Sequence, residues 1–229
     1  MKKISILLPY KENFSPNYAG AVSLHVKETT TGSSYKKEIT VYGHTYYKRK
    51  YNLKYVNLDI SEKKIFSSKG KDYVNKFLSH ERKNNSDIIE IHNRPIYLKN
   101  LVNKKNYKFV LYFHNDPLSM QGAKTKEERI YLYNNSEKII FISHWIKKRF
   151  LSSLDEQIVK SSKFLVIYHS TNKVNLNLNS KQNLITFVGK LNKAKGFDLF
   201  CKSVIKILKK YPDWRAVAIG DEEREKYNF

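Results

Sequence analysis

Between Gly189 and Gly196 the chain places Lys190, Lys193 and Lys195 in a short loop bounded by two glycines. An apolar run, Ile185 to Val188, precedes the loop. After it Phe197, Phe200, Val204, Leu208 and Tyr211 recur at spacings of three and four and would line one helix face. That reads as strand, basic turn and helix, and Trp214 to Ile219, beyond the Pro212-Asp213 break, supplies a second strand. In such a βαβ unit the turn gathers backbone N–H groups, the positive end of a helix dipole and ammonium groups, a setting suited to a phosphate. A plain solvated connection between strand and helix has the same appearance.

A second signal lies earlier. The strand Asp87 to Ile91 runs into His92-Asn93-Arg94-Pro95, and the strand Tyr107 to Phe113 runs into His114-Asn115-Asp116-Pro117. Proline ends each ladder and can open the next helix, so the polar residues fall at the C-terminal ends of strands. Ligands of open α/β sheets bind there. A histidine at a strand end also serves as a structural hydrogen-bonding residue, and both readings stand for His92. Asp116 either orients His114 or caps the turn before Pro117, and the cap is the simpler role.

The elements that must position these residues follow from apolar patterning. Ile4 to Leu8 is a continuous run suited to a central parallel strand. The loop Tyr10 to Gly20 leads into a helix ending near Gly32, followed by a strand from Lys37 to Tyr42. Phe66 to His80 is helical by pattern, with Tyr73, Phe77 and Leu78 inward, and a short helix closes at Leu101. Glu127 to Asn135 is a further helix and Glu137 to Ser143 a strand. Ser143 then caps a helix from His144 to Leu151 that carries Lys147, Lys148 and Arg149 on its outer side. Phe164 to Tyr168 ends the series, with His169 and Ser170 directly behind it. The expected organisation is α/β: a Rossmann-like parallel sheet over 1–173, a polar linker over 174–183, and over 184–229 the first βαβ of a second, incomplete Rossmann-like domain.

With 41% hydrophobic and 14% aromatic residues in 229, the chain is not of disordered composition. Forty-three Lys and Arg against 21 Asp and Glu give a net charge of +22, which favours polyanionic partners. A general abundance of Lys, Asn, Ile and Tyr, of the kind an AT-rich coding bias produces, accounts for part of it. Tyr46 to Tyr55, YYKRKYNLKY, reads as a solvated loop and edge strand, as a surface for anionic lipid, or as a single-strand nucleic-acid platform. The one cysteine, Cys201, excludes an internal disulfide framework. No apolar run approaches the roughly 18 residues of a membrane span, and Met1 to Tyr10 lacks the length and cleavage site of a signal peptide. A cytoplasmic protein is expected, with a peripheral place on the inner face of the membrane as one option.

FVGKLNKAKGFDLF resembles the opening of the C-terminal domain of retaining GT-B glycosyltransferases of family 4, F-V-G-R-L-x-x-x-K-G-x-D-x-L. The resemblance implies that Lys190, Lys195 and Gly189 hold the diphosphate of a nucleotide-sugar donor, with Lys190 standing where the family has arginine. It implies that Gly20, in a pair reading Ala19-Gly20 instead of Gly-Gly, lies against the donor phosphates, and that His114 contacts the donor sugar as the catalytic-site histidine. His92, Asn93, Arg94, Asn115 and Asp116 would then line the acceptor side of the cleft, as would His169 and Ser170, although YHST replaces the family's P-N-G-V. The implied reaction is sugar transfer to an envelope glycan or glycolipid of lipopolysaccharide or capsule type, without cofactor or metal. There is no D-x-D motif and no His or Cys pair at ligand spacing. The family's paired-glutamate segment has no counterpart, since Glu222, Glu223 and Glu225 stand too close to the last strand, so a truncated and inactive enzyme is expected. A non-catalytic binder of nucleic acid or anionic lipid is the alternative, and a two-domain sugar-nucleotide epimerase a third; nucleic acid is not an expected partner of the transferase.

Overall fold

The computed structural model describes residues 2–60, 68–102, 107–171, 173–175 and 181–221. The chain divides into two compact units, Met1–Asn172 and Lys173–Phe229. The first is built on seven strands: β1 (Ile4–Leu7), β2 (Ile39–Gly43), β3 (Tyr55–Asn57), β4 (Ile88–His92), β5 (Lys108–Phe113), β6 (Lys138–Phe141) and β7 (Phe164–Val166). They form one sheet in the order β3-β2-β1-β4-β5-β6-β7, with every neighbouring pair parallel. The chain winds outward from β1 to β3, then returns to the other side of β1 with β4. That reversal is the topological switch point, where a crevice opens beyond the strand ends.

Helices cover both faces: α1 (Ala21–Gly32), α2 (Lys69–Asn84), α3 (Ile96–Leu101), α4 (Lys126–Asn134), α5 (His144–Leu151) and the single turn α6 (Glu156–Val159). Because side chains alternate along a strand, β1 feeds two cores. Ile6 and Leu8 pack with Phe14, Val22, Val26, Ile39 and Val41, on the α1 side. Leu7 joins Tyr73, Phe77, Leu98, Leu111 and Phe141 on the other. Each of those fully buried large side chains contributes about 1.5–3 kcal/mol.

Several boundaries differ from expectation. The helix expected from Phe66 to His80 starts at Lys69, where the Ser68 hydroxyl accepts from the Lys71 N–H, and continues to Asn84; Phe66 lies outside the described residues. Its last turn is held by Glu81, a fully buried carboxylate that accepts the Ser5 hydroxyl at 2.6 Å and the Ser86 N–H at 2.6 Å. The second strand begins at Ile39, not Lys37, and Tyr55 opens a three-residue edge strand at the end of the basic and aromatic segment. There Tyr51 and Tyr55 pack their rings on Phe14, at 5.0 and 5.1 Å. Ser143 caps α5 as expected, its hydroxyl accepting from the Ile146 N–H.

The second unit holds β8 (Leu184–Val188) and β9 (Arg215–Ile219), a parallel pair, and α7 (Phe197–Lys210). Phe187 packs its ring against Phe197 and Phe200 at 5.4 and 5.3 Å. Val204 of α7 is buried, while Tyr211, expected on the same helix face, is 48% exposed and lies one residue beyond the end of the helix. Glu222, Glu223 and Glu225, and 176–180 of the expected linker, lie outside the described residues. Among the described residues no helix is long and apolar enough to cross a membrane.

Candidate functional site

Strands β4 and β5 are paired with His92 opposite Tyr112. Residues two apart on a strand share a face, so Glu90 and His92 from β4 and Tyr112 and His114 from β5 stand together on the α1 side of the sheet. The turn after β4 makes this possible. Asn93 takes a left-handed conformation, φ 54°, which asparagine tolerates better than other side-chain-bearing residues. Its N–H donates to the Tyr112 carbonyl at 2.8 Å, and its side-chain oxygen accepts the His114 N–H at 3.2 Å. Thus Asn93 fixes where β5 releases His114.

The imidazoles form a chain. Glu90 Oε1 lies 2.5 Å from His92 Nε2, His92 Nδ1 lies 2.9 Å from His114 Nε2, and His114 Nδ1 lies 2.9 Å from His169 Nε2. Tyr112 stacks on His92 at 5.0 Å with planes 7° apart, and His25 of α1 stacks on His169 at 4.5 Å. Burial, reinforced by the neighbouring His92, His25 and His169, drives His114 far below the ordinary histidine value. His25 is lowered to about 4, first by burial and then by His92 and His169. His169 is lowered by burial and His92, and Tyr112 is pushed up to about 12 by burial and then Glu90. For His114, His25 and His169 the surroundings therefore favour the neutral ring, which acts as hydrogen-bond donor and acceptor. Among the described residues no group of three or more His, Cys, Asp or Glu side chains is arranged to hold a metal ion.

Two recesses flank this row. One, of about 320 Å³, is lined by Leu24, His25, Glu28, His169, Ser170 and Thr171. The other, also about 320 Å³, is lined by Asn93, Arg94, Asn115, Ser119 and Gln121, among others. The sequence-predicted residues are thus shared out: His92 and His114 are buried between, His169 and Ser170 face one recess, and Asn93, Arg94 and Asn115 face the other. Asp116 does not orient His114. Its carboxylate accepts the Leu118 N–H at 3.1 Å and pairs with Arg149 at 2.9 Å, which ties the β5 turn to α5. Hydrogen bonds from Arg149 hold it below the usual carboxylate range.

Gly20 caps α1 from a loop that brings Glu12 against it. A Cβ on Gly20 would come within 2.0 Å of the Glu12 carboxylate, which also accepts the Ser23 N–H at 2.9 Å. The positive end of α1 thus already holds an anion. In the second unit Lys190 and Lys195 are exposed, and Asn192 folds the loop by accepting the Lys195 N–H at 3.1 Å. Gly196 takes φ 77° as it enters α7. Gly189 lies so close to Gly220 that a Cβ on the latter would overlap the Gly189 carbonyl. His25, Glu90 and Glu12 were not singled out from the sequence. An acid inside the apolar run IIEIH, and a histidine in register with Val22 and Val26 on a buried helix face, are the signals that mark the first two.

Residues 169–228 match the family model for glycosyl transferases group 1. The stretch takes in the Gly189–Gly196 turn, α7 and both strands of the second unit. No curated protein sequence matches the chain. Sucrose-phosphate synthase from Thermosynechococcus elongatus superimposes with a TM-score of 0.64 at 12% identity, over 98% of this chain and 64% of that one. HepE from Anabaena, solved in complex with UDP, gives 0.62 at 12% over 99% and 63%. The apo form of the lipopolysaccharide outer core galactosyltransferase WaaB gives 0.61 at 13% over 95% and 68%. The likeness is one of fold, the Rossmann-like parallel architecture of GT-B glycosyltransferases, and the chain spans 64% of the length of the first of these structures.

Proposed function

We propose that this chain is the acceptor-side domain and the beginning of the donor-side domain of a glycosyltransferase of family 4. It transfers a sugar with retention from a nucleotide-sugar donor to an envelope glycan or glycolipid. One observation carries the reading: an exposed three-lysine turn opening a helix inside the stretch that matches the glycosyl transferases group 1 model. Lys190, Lys195, Gly189 and the α7 N-terminus neutralise the donor diphosphate, and their charge is most valuable as the leaving group gains negative charge. Lysine keeps the charge of the family's arginine without its bidentate fork. No metal is needed to neutralise the diphosphate under this scheme.

His114 and the recesses beside it serve the sugar and the acceptor: Asn93, Arg94 and Asn115 on one side, His169 and Ser170 on the other. Trp145, 58% exposed on α5 beside Lys147 and Lys148, suits contact with an anionic membrane carrying the acceptor. The test is a thermal-shift screen of UDP, GDP and ADP sugars beside a salt-titrated DNA-binding assay. One nucleotide sugar should give a saturable shift at a salt concentration where DNA binding has vanished. No shift with any donor, together with tight DNA binding, would replace the transferase by a polyanion binder.

A further inference from the structure

We infer that the recess of about 320 Å³ beside Asn93 and Asn115 is a site for the anionic group of an acidic sugar, a carboxylate or a phosphate ester, with Arg94 as its cation. The inference rests on the glycosyltransferase reading only for calling that sugar the acceptor. The anion site itself follows from the recess.

Its charge is one-sided. Arg94 is the one charged side chain among the described residues that line it, and the polar side chains beside it are neutral. No ion pair among the described residues engages Arg94. The nearby Asp116 carboxylate is already taken by Arg149, at 2.9 Å. One guanidinium N–H of Arg94 donates to the Asn93 carbonyl at 2.9 Å, which holds the head in place and leaves other N–H groups of the fork for a ligand. A half-buried cation without a counter-ion is costly, and an anion entering the recess would remove that cost. The amides point to the same chemistry. The Asn93 side-chain oxygen accepts the His114 N–H at 3.2 Å, and a backbone N–H only donates, so the orientation of this amide is forced. Its Nδ2 group is the end left over, on a residue 6% exposed, with no hydrogen-bond partner among the described residues. Asn115 and Gln121 bring further amides to the exposed rim. Hydroxyls of a neutral sugar would satisfy the amides, but only an anion answers Arg94.

The walls are preformed. Gly122 takes φ 92°, and a Cβ there would lie 2.8 Å from the backbone N and Cα of Ile96. Only glycine therefore lets the turn carrying Ser119 and Gln121 close on the segment carrying Arg94. Pro95, Ile96 and Met120 supply the apolar part of the lining, against which the C–H face of a sugar ring can lie. A recess built this way needs little ordering when it is filled. The recess on the other flank of the histidine row carries Glu28 instead, so charge alone turns an acidic sugar towards Arg94.

Proton–nitrogen spectra of the whole chain test this, recorded at about 0.15 M salt to screen its general positive charge. The chain is titrated with glucuronate, glucose 6-phosphate, glucose and inorganic phosphate. At least one acidic sugar should shift the side-chain amides of Asn93, Asn115 and Gln121 saturably, about tenfold or more tighter than glucose or inorganic phosphate, and the sugar that does so distinguishes carboxylate from phosphate ester. Glucose binding as tightly, inorganic phosphate binding as tightly, or shifts confined to other residues would each overturn the site. Arg94→Ala should weaken the acidic sugar about 10–100-fold, and Arg94→Lys less, because lysine keeps the charge without the fork. Gln121→Glu, at an exposed position that leaves the fold intact, should weaken it comparably by placing a like charge in the recess. Unchanged affinity in Gln121→Glu overturns the charge argument even if the alanine variant fails to fold. An acidic sugar bound by a chain that binds no nucleoside diphosphate keeps the site and removes its acceptor role. Transfer to neutral acceptors alone, with no acidic sugar bound, keeps the transferase reading and overturns the site.

Discussion

Asn93 carries two separable burdens, and substituting it in two ways measures each. Its side-chain oxygen satisfies the His114 N–H at 3.2 Å, in a place where Asn93 is 6% and His114 7% exposed. Its backbone sits at φ 54°. Asn93→Ala strands a buried N–H, at about 1–3 kcal/mol, and gives up asparagine's tolerance of the left-handed region, at up to roughly 1 kcal/mol of the penalty a Cβ meets there. Asn93→Gly strands the same N–H and relieves the backbone, but adds about 0.5–1 kcal/mol of unfolded-state entropy. The alanine variant should therefore lose about 1–4 kcal/mol, and the glycine variant up to about 1 kcal/mol less. Urea denaturation followed by circular dichroism gives the two losses, provided the slope of the transition is unchanged. Hydrogen exchange at the His114 amide should show reduced protection in both variants. A glycine variant less stable than the alanine variant, or a His114 amide that stays fully protected, would refute the strained-turn account of how β4 delivers the site.

Two further perturbations probe the frame. Glu81→Ala leaves the Ser5 hydroxyl and the Ser86 N–H without their carboxylate, so a loss of about 2–4 kcal/mol is expected in the same denaturation experiment, and a loss under about 1 would contradict the buried network. The folded state lowers the His25 pKa from 6.5 to about 4, so below pH 6.5 the unfolded chain binds protons that the folded chain refuses. Stability should be complete above that value and fall as pH drops towards 4, with His114 acting in the same sense. His25→Phe should flatten part of this slope, and an unchanged slope would show that the ring is not held neutral by the fold.

The sheet was legible because its strands are short apolar runs bounded by turn residues, and the repeated His-Asn endings lay at the C-terminal ends of two of them. What joins His92 to His114 was not legible. It depends on the register that sets His92 opposite Tyr112, and on the left-handed turn at Asn93, neither of which leaves a periodic trace. Glu81 and Glu90 were hidden for a related reason: a charged residue in an apolar pattern reads as an interruption until its buried partners are known. The edge strand at Tyr55 stood among the readings of its segment, but lysines and tyrosines that suit a lipid or nucleic-acid surface equally well left its bounds open. Tyr211 failed as a core residue because the helix stops before it.

The claim that the turn from Gly189 to Gly196 receives a diphosphate is tested most directly by calorimetric titration of the chain with UDP, GDP and ADP, beside Lys195→Ala. One nucleoside diphosphate should bind, and loss of the ammonium should weaken it about tenfold, or about 1.4 kcal/mol, with the circular dichroism spectrum unchanged. Equal affinity in the two proteins would contradict it.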